Sequence, residues 1–211
     1  MKSSLPIAYF LLMSVAHCAT IYSNFGSGGT FNESVGYGVV GPYELAYPFT
    51  VPAGYNYAFD SASLALSEGI GTNDEVTISL ATNAAGVPGS ILENLTGTVE
   101  PYPDDTVPVT VISSLNPVLV GGSVYWLIIS PATGNGVNWL TAGILTNPDL
   151  QAIRSSSTGT WTATPLLYGY NNPGALSVDA TALSPEGSTW SLGLTGIAIL
   201  AAKRRWSKRQ A

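Results

Sequence analysis

The apolar residues of this chain come in short runs separated by Gly, Pro, Asn and Asp, and between residues 20 and 183 they never recur with a helical period. That pattern predicts an all-β body. Val76, Ile78 and Leu80 alternate with Thr77 and Ser79, as in a strand with one buried face. Tyr55, Tyr57 and Phe59 keep one phase, whereas Ala62, Leu64 and Leu66 keep the opposite one, so a bulge or corner is expected near Asp60. The run 124–129, VYWLII, is apolar on both parities and predicts a central strand covered on both faces. Further strands are expected at 47–51, 91–99, 107–112, 137–141, 158–164 and 176–179. Turn signals lie between them at Pro52-Ala53-Gly54, Gly86-Val87-Pro88-Gly89 and Gly134-Asn135-Gly136. About nine strands in roughly 165 residues suit a jelly-roll-like β-sandwich. The lack of a repeat at a fixed period speaks against a propeller or solenoid.

Both ends break this pattern. Residues 1–19 carry Lys2, an apolar stretch over 5–16 and a small-residue exit at Ala16-His17-Cys18-Ala19, the arrangement of a secretory signal peptide. Cleavage is expected after Ala19, giving a mature Thr20, with cleavage after Cys18 as the alternative. Acylation of Cys18 as a lipoprotein is disfavoured, because His17 occupies a position where a small residue is wanted. Residues 184–211 hold Pro185, Glu186, Gly187, Ser188, Thr189 and Trp190, then an apolar run over 191–202, then Lys203, Arg204, Arg205, Lys208 and Arg209. Such a run covers about 18–21 Å as a helix, less than the ~30 Å hydrocarbon core. A short or transient transmembrane helix follows, with Trp190 and Trp206 at the interfaces and the basic cluster on the cytoplasmic side. The chain therefore divides into a signal peptide (1–19), a β-sandwich domain (20–183) and a C-terminal signal (184–211).

Charge sharpens the division. Charged residues make up only 9% of the chain, against roughly 25% in an average globular protein. Six of the seven basic residues lie in the first two or last nine positions, so the body sets one cation, Arg154, against twelve carboxylates, a net −11. A body so depleted of cations cannot neutralise a phosphate backbone, which excludes nucleic-acid binding. Attraction to anionic lipid falls on the same ground. His17 and Cys18 are the sole residues of their types, and the body lacks Lys. Ser–His–Asp and Cys–His nucleophiles, imidazole or thiolate zinc sites, Schiff-base chemistry and intramolecular disulfides are excluded from it.

The order of motif, short apolar helix and Arg-rich tail over 184–210 resembles the PEP-CTERM sorting signal of Gram-negative bacteria, which exosortases recognise and process. Ser188-Thr189-Trp190 fit the family pattern, whereas Gly187 stands where its second proline belongs, and the efficiency of processing turns on that position. The body resembles the exported choice-of-anchor domains, type R most closely. The resembling pieces are Thr20-Ile21-Tyr22-Ser23-Asn24-Phe25-Gly26, Phe49-Thr50-Val51-Pro52, the stretch from Leu80 through Gly86-Val87-Pro88-Gly89, and Tyr125-Trp126-Leu127 followed by Trp139. These resemblances imply export through the inner membrane to the cell envelope, surface or extracellular matrix, with signal peptidase and an exosortase-type enzyme as partners. They carry no catalytic residues.

Two sets of body residues invite chemistry. The pairs Asp74-Glu75 and Asp104-Asp105 would have to stand about 5–9 Å apart across a sugar to serve a glycosidase, and neighbours on a strand point to opposite faces. Solvated turn residues are the preferred reading of these acids. A structural calcium is the alternative, with Asp60, Asn73, Asp74, Asp104, Asp105 and Asp179 as oxygen ligands. Among the aromatics Tyr37, Tyr43, Tyr47, Tyr102, Trp139, Trp161, Tyr168 and Tyr170, we single out Trp139, Trp161, Tyr168 and Tyr170 as candidate glycan contacts, against the alternative that such rings fill cores and edges. Tyr125 and Trp126 are assigned to core packing. Asn32-Glu33-Ser34 and Asn94-Leu95-Thr96 match the N-glycosylation pattern by chance. Arg154 is expected in a structural ion pair, with Asp149 as one partner, or else clamping an acidic sugar. The functional expectation is an exported, exosortase-sorted protein with a non-catalytic structural or interaction role. A module binding exopolysaccharide is the alternative, and a glycoside-active enzyme working with carboxylates alone is a third class.

Overall fold

The computed structural model describes residues 18–71, 75–99, 108–142, 150–165 and 172–183. These residues form fourteen strands and no helix: β1 (Cys18–Ser23), β2 (Phe31–Val40), β3 (Glu44–Thr50), β4 (Asn56–Leu64), β5 (Leu66–Ile70), β6 (Glu75–Ala84), β7 (Val87–Thr98), β8 (Val109–Ile112), β9 (Val118–Leu119), β10 (Val124–Pro131), β11 (Gly136–Ala142), β12 (Leu150–Arg154), β13 (Thr162–Pro165) and β14 (Leu176–Leu183). All named pairings are antiparallel. The all-β expectation holds, with more strands than the nine anticipated. No helix of the described residues is long and apolar enough to cross a membrane. The sequence features at 1–17 and 184–211 lie outside the described residues.

Three sheets result, ordered β1-β14-β4-β8 with β9 on β4, β13-β12-β3-β10-β6-β7, and β2-β11-β5. Along the chain β1, β3, β4 and β6 alternate between the first two sheets, β7 pairs with β6 in the second, β8 and β9 lie in the first, β10, β12 and β13 in the second, and β14 returns to the first. One apolar core draws Phe59, Leu64, Val111 and Val178 from the first sheet, Tyr47, Phe49, Ile78 and Leu127 from the second, and Val39, Leu66 and Trp139 from the third. Burial of this kind is the main favourable term for a chain with so few charges to contribute.

Strand β10 is central, paired with β3 on one side and β6 on the other. Its Tyr125, Leu127 and Ile129 enter the main core. Trp126 and Ile128 pack on the opposite face with Ala46, Ala81, Ala152 and a partly buried Trp161. Both-parity burial is what the VYWLII run predicts. The expected irregularity near Asp60 is a β-bulge. Asp179 pairs with Ser61 and Ala180 with Phe59, which leaves Asp60 without an opposite number. Phe59 and Ala62 can then both point inward.

One turn falls elsewhere than expected. Ala84 pairs with Val87, so the β6–β7 hairpin turns at Ala85-Gly86, while Val87, Pro88 and Gly89 already belong to β7. Ala85 (φ 53°) and Gly86 (φ 90°) are both left-handed, as a two-residue type I′ turn requires. Asn83 Oδ1 accepts from the Gly86 N–H (3.2 Å) and from Trp126 Nε1 (3.0 Å), tying the turn to the outer core.

Candidate functional site

A cleft of about 390 Å³ opens where β2 runs beside β3 and β12. Tyr37, Val39, Leu45 and Ile153 give it apolar walls, and Tyr43, 57% exposed, stands on its rim. Chain direction explains the placement. Tyr43 follows the turn that closes on the Val40 carbonyl (2.9 Å) and leads into β3. Strand β12 lies beside β3 with Ala152 opposite Ala46 and Ile153 opposite Leu45. Ala152 therefore joins the outer cluster around Trp126, while Gln151 and Ile153 point the other way, toward Tyr47 and Leu45.

Behind the apolar walls runs a buried polar chain. The Tyr37 hydroxyl donates to the Asn172 carbonyl (3.2 Å), and the Tyr47 hydroxyl donates to Gln151 Oε1 (2.9 Å). Burial, reinforced by the neighbouring Tyr37, pushes the Tyr47 phenol well above its ordinary value, so it stays a neutral donor. Gln151 is fully buried and lines the cleft, yet its Nε2 has no hydrogen-bond partner among the described residues. Thr164 sits directly opposite Gln151 in the β12–β13 ladder, and its buried Oγ1 is likewise unpartnered among the described residues. A third such atom, Ser67 Oγ, lies on β5. Glu44, a charged residue on the cleft wall, is buried and paired with Arg154 Nε, its cross-strand neighbour. The Arg154 guanidinium also lies 4.4 Å from the centre of the Trp161 ring.

The residues singled out from sequence distribute differently. Trp139 is 0% exposed. Its ring meets Tyr47 edge-on (centroids 4.7 Å, 89°) and its Nε1 donates to the Ala175 carbonyl (3.0 Å), so it is a core residue and not a glycan contact. It is covered because the Tyr47 ring of β3, in another sheet, packs against the face of β11 from which Trp139 projects. Trp161 is half-buried against the outer cluster and under Arg154. The structural ion pair expected of Arg154 is present, with Glu44 as its partner. Tyr168 and Tyr170 lie outside the described residues, as do Tyr102, Asp149, Asn73, Asp74, Asp104 and Asp105.

Of the calcium candidates, Asp60 and Asp179 are described. Asp60 Oδ2 accepts from Thr181 Oγ1 (2.6 Å), and Asp179 accepts from Thr20 Oγ1 (2.6 Å) and Ser61 Oγ (3.3 Å). Among the described residues no three His, Cys, Asp or Glu side chains converge in a way that could hold a metal ion. Cys18 leans on the same pair. A hydrogen bond to Asp60, slight desolvation and the charges of Asp60 and Asp179 raise the thiol pKa of this exposed residue, which makes it a poor nucleophile at neutral pH.

Tyr37 and Tyr43 stand among the aromatic residues visible in the sequence, but nothing there distinguishes them as cleft residues. Gln151 carries no sequence signal. No protein-family model matches the chain, and no curated protein matches it at a significant level.

Proposed function

We propose that this protein is an exported, non-catalytic component of the bacterial cell surface or extracellular matrix, a jelly-roll-like sandwich carried between an N-terminal export signal and a C-terminal PEP-CTERM-like sorting signal. The observation that carries the reading is the segregation of charge. The cations cluster at the two ends in the positions that export and sorting signals need, around a body of net −11. Eight of the eleven strands of the first two sheets, β1, β3, β4, β6, β7, β8, β10 and β14, alternate between those sheets along the chain apart from the β6–β7 hairpin, which supports the jelly roll. Thr20, the expected mature start, is tied to the body through Asp179, and cleavage after Ala19 keeps that bond. A body over 20–183 without His, Lys or Cys supports a role in interaction rather than catalysis.

Mapping both terminal peptides by mass spectrometry, in membrane and medium fractions of the producing cells, tests this reading. A start at Thr20 and loss of the tail after about Glu186 are expected. An intact tail ending at Ala211 in the membrane would make 184–211 a plain anchor, and a retained Met1 would overturn export. A second reading, a carbohydrate-binding module, is favoured by the cleft beside Tyr43, which joins apolar walls to the unsatisfied Gln151 Nε2.

A further inference from the structure

We infer that the cleft between β2 and β12 binds a neutral pyranose residue, whose ring packs on Tyr43 and the apolar wall while one of its hydroxyls satisfies Gln151 Nε2. The inference rests on the carbohydrate-binding reading and locates its site. A buried donor left without a partner is costly, because it has given up water and gained nothing. Gln151 Nε2 is such a group, on a fully buried side chain that lines the cleft, and a ligand seated there supplies the missing partner.

The chemistry of the wall narrows the ligand. An aliphatic or purely aromatic guest would leave Gln151 Nε2 unsatisfied. An anionic guest meets a body of net −11, and Arg154 is already engaged by Glu44 and Trp161. A cationic guest finds the Glu44 carboxylate occupied for the same reason. What remains is a neutral molecule with a flat apolar face and hydroxyls around its edge. An amide N–H₂ donates to such hydroxyls. The volume of about 390 Å³ lies at the lower end of ordinary ligand sites. It suits one sugar ring of a chain that continues past the exposed Tyr43.

The test uses the protein purified from its producing cells, titrated calorimetrically with hexasaccharides of neutral glucan, mannan and galactan, and with polygalacturonate as the anionic control. Binding of at least one neutral hexasaccharide is expected. Tyr43→Ala, at an exposed position on the rim, should weaken that binding about tenfold. Thr164→Val, which removes a buried hydroxyl outside the cleft lining, should leave it unchanged. The Gln151 side-chain amide signals should shift on binding in ¹⁵N-labelled protein. Neutral-sugar binding that survives Tyr43→Ala, with no shift at Gln151, overturns the site but leaves the carbohydrate reading standing. Binding of polygalacturonate alone overturns the neutral class. Absence of binding to every probe overturns the carbohydrate reading and the site with it, while the terminal peptides still decide export and sorting.

Discussion

Replacing Trp139 with alanine is expected to cost about 4 kcal/mol of folding stability, the range found when a fully buried large aromatic is truncated. The indole is 0% exposed and is wedged between two sheets. It projects from β11 of the small sheet and meets the Tyr47 ring of β3 edge-on, at 4.7 Å between centroids. Its Nε1 satisfies the Ala175 carbonyl, so truncation also strands a buried acceptor. The backbone has been shaped to receive it. A Cβ on Gly174 would sit 2.6 Å from Cδ1 and Nε1 of the indole, closer than side chains approach. Gly174→Ala should therefore cost about 2 kcal/mol by overpacking. In a Trp139→Phe background, where the smaller ring leaves room, the same glycine substitution should cost clearly less. Urea denaturation of the four proteins measures the coupling. Equal costs of Gly174→Ala in both backgrounds would show that the glycine is not there to admit the indole. Because Tyr47 leans on Trp139 and carries Gln151 on its hydroxyl, this core contact also positions the wall of the cleft.

Much of the scaffold is legible in the sequence because its signals are local. The double-parity run of β10 and the phase change at Asp60 are properties of consecutive residues, and each has one economical structural solution. The missed elements lack such signals. Strand β2 is interrupted by Gly36 and Gly38, and β12 is a short mixed segment, LQAIR, whose identity as a strand depends on pairing with β3 more than a hundred residues away. The β6–β7 turn was hidden by Ala85, which adopts a left-handed conformation that its side chain disfavours. Trp139 illustrates the limit for function. Whether an aromatic on a strand meets a ligand or the core depends on which sheet covers it, and that is decided by long-range topology. The cleft is less legible still. Gln151 becomes notable only because Tyr47 takes one atom of its amide and leaves the other bare.

Glu93 should make the protein acid-sensitive, and its removal should cost about 3 kcal/mol at neutral pH. Its carboxylate is 4% exposed and is spent entirely on the segment that follows β8. Ser113 Oγ donates to Oε2 (2.5 Å), while the Ser114 N–H (2.7 Å), the Leu115 N–H (3.1 Å) and Ser114 Oγ (3.1 Å) donate to Oε1. Ser113 Oγ in turn accepts from the Asn116 N–H (2.8 Å), so one carboxylate on β7 organises four consecutive residues of the neighbouring sheet's connection. Burial alone would raise its pKa, but the donations from Ser113, the Ser114 and Leu115 amides and the Ser114 hydroxyl outweigh burial and hold it below the ordinary glutamate value. A carboxyl depressed in the folded state stabilises fully above its unfolded pKa, about 4.3, and loses that contribution as pH falls through its folded value. Glu93→Ala leaves two amides and two hydroxyls without an acceptor, whereas Glu93→Gln keeps one oxygen and should cost about 2 kcal/mol. Denaturation midpoints of wild type and Glu93→Gln at pH 7, 5 and 3 make the comparison. The remaining carboxylates titrate alike in both proteins, so the difference between them isolates Glu93. The gap should be widest at pH 7 and 5 and should narrow at pH 3, where the wild-type carboxyl begins to protonate and loses part of its advantage over the amide. A gap of constant size across the three values would mean that the charge of Glu93 contributes nothing beyond its shape.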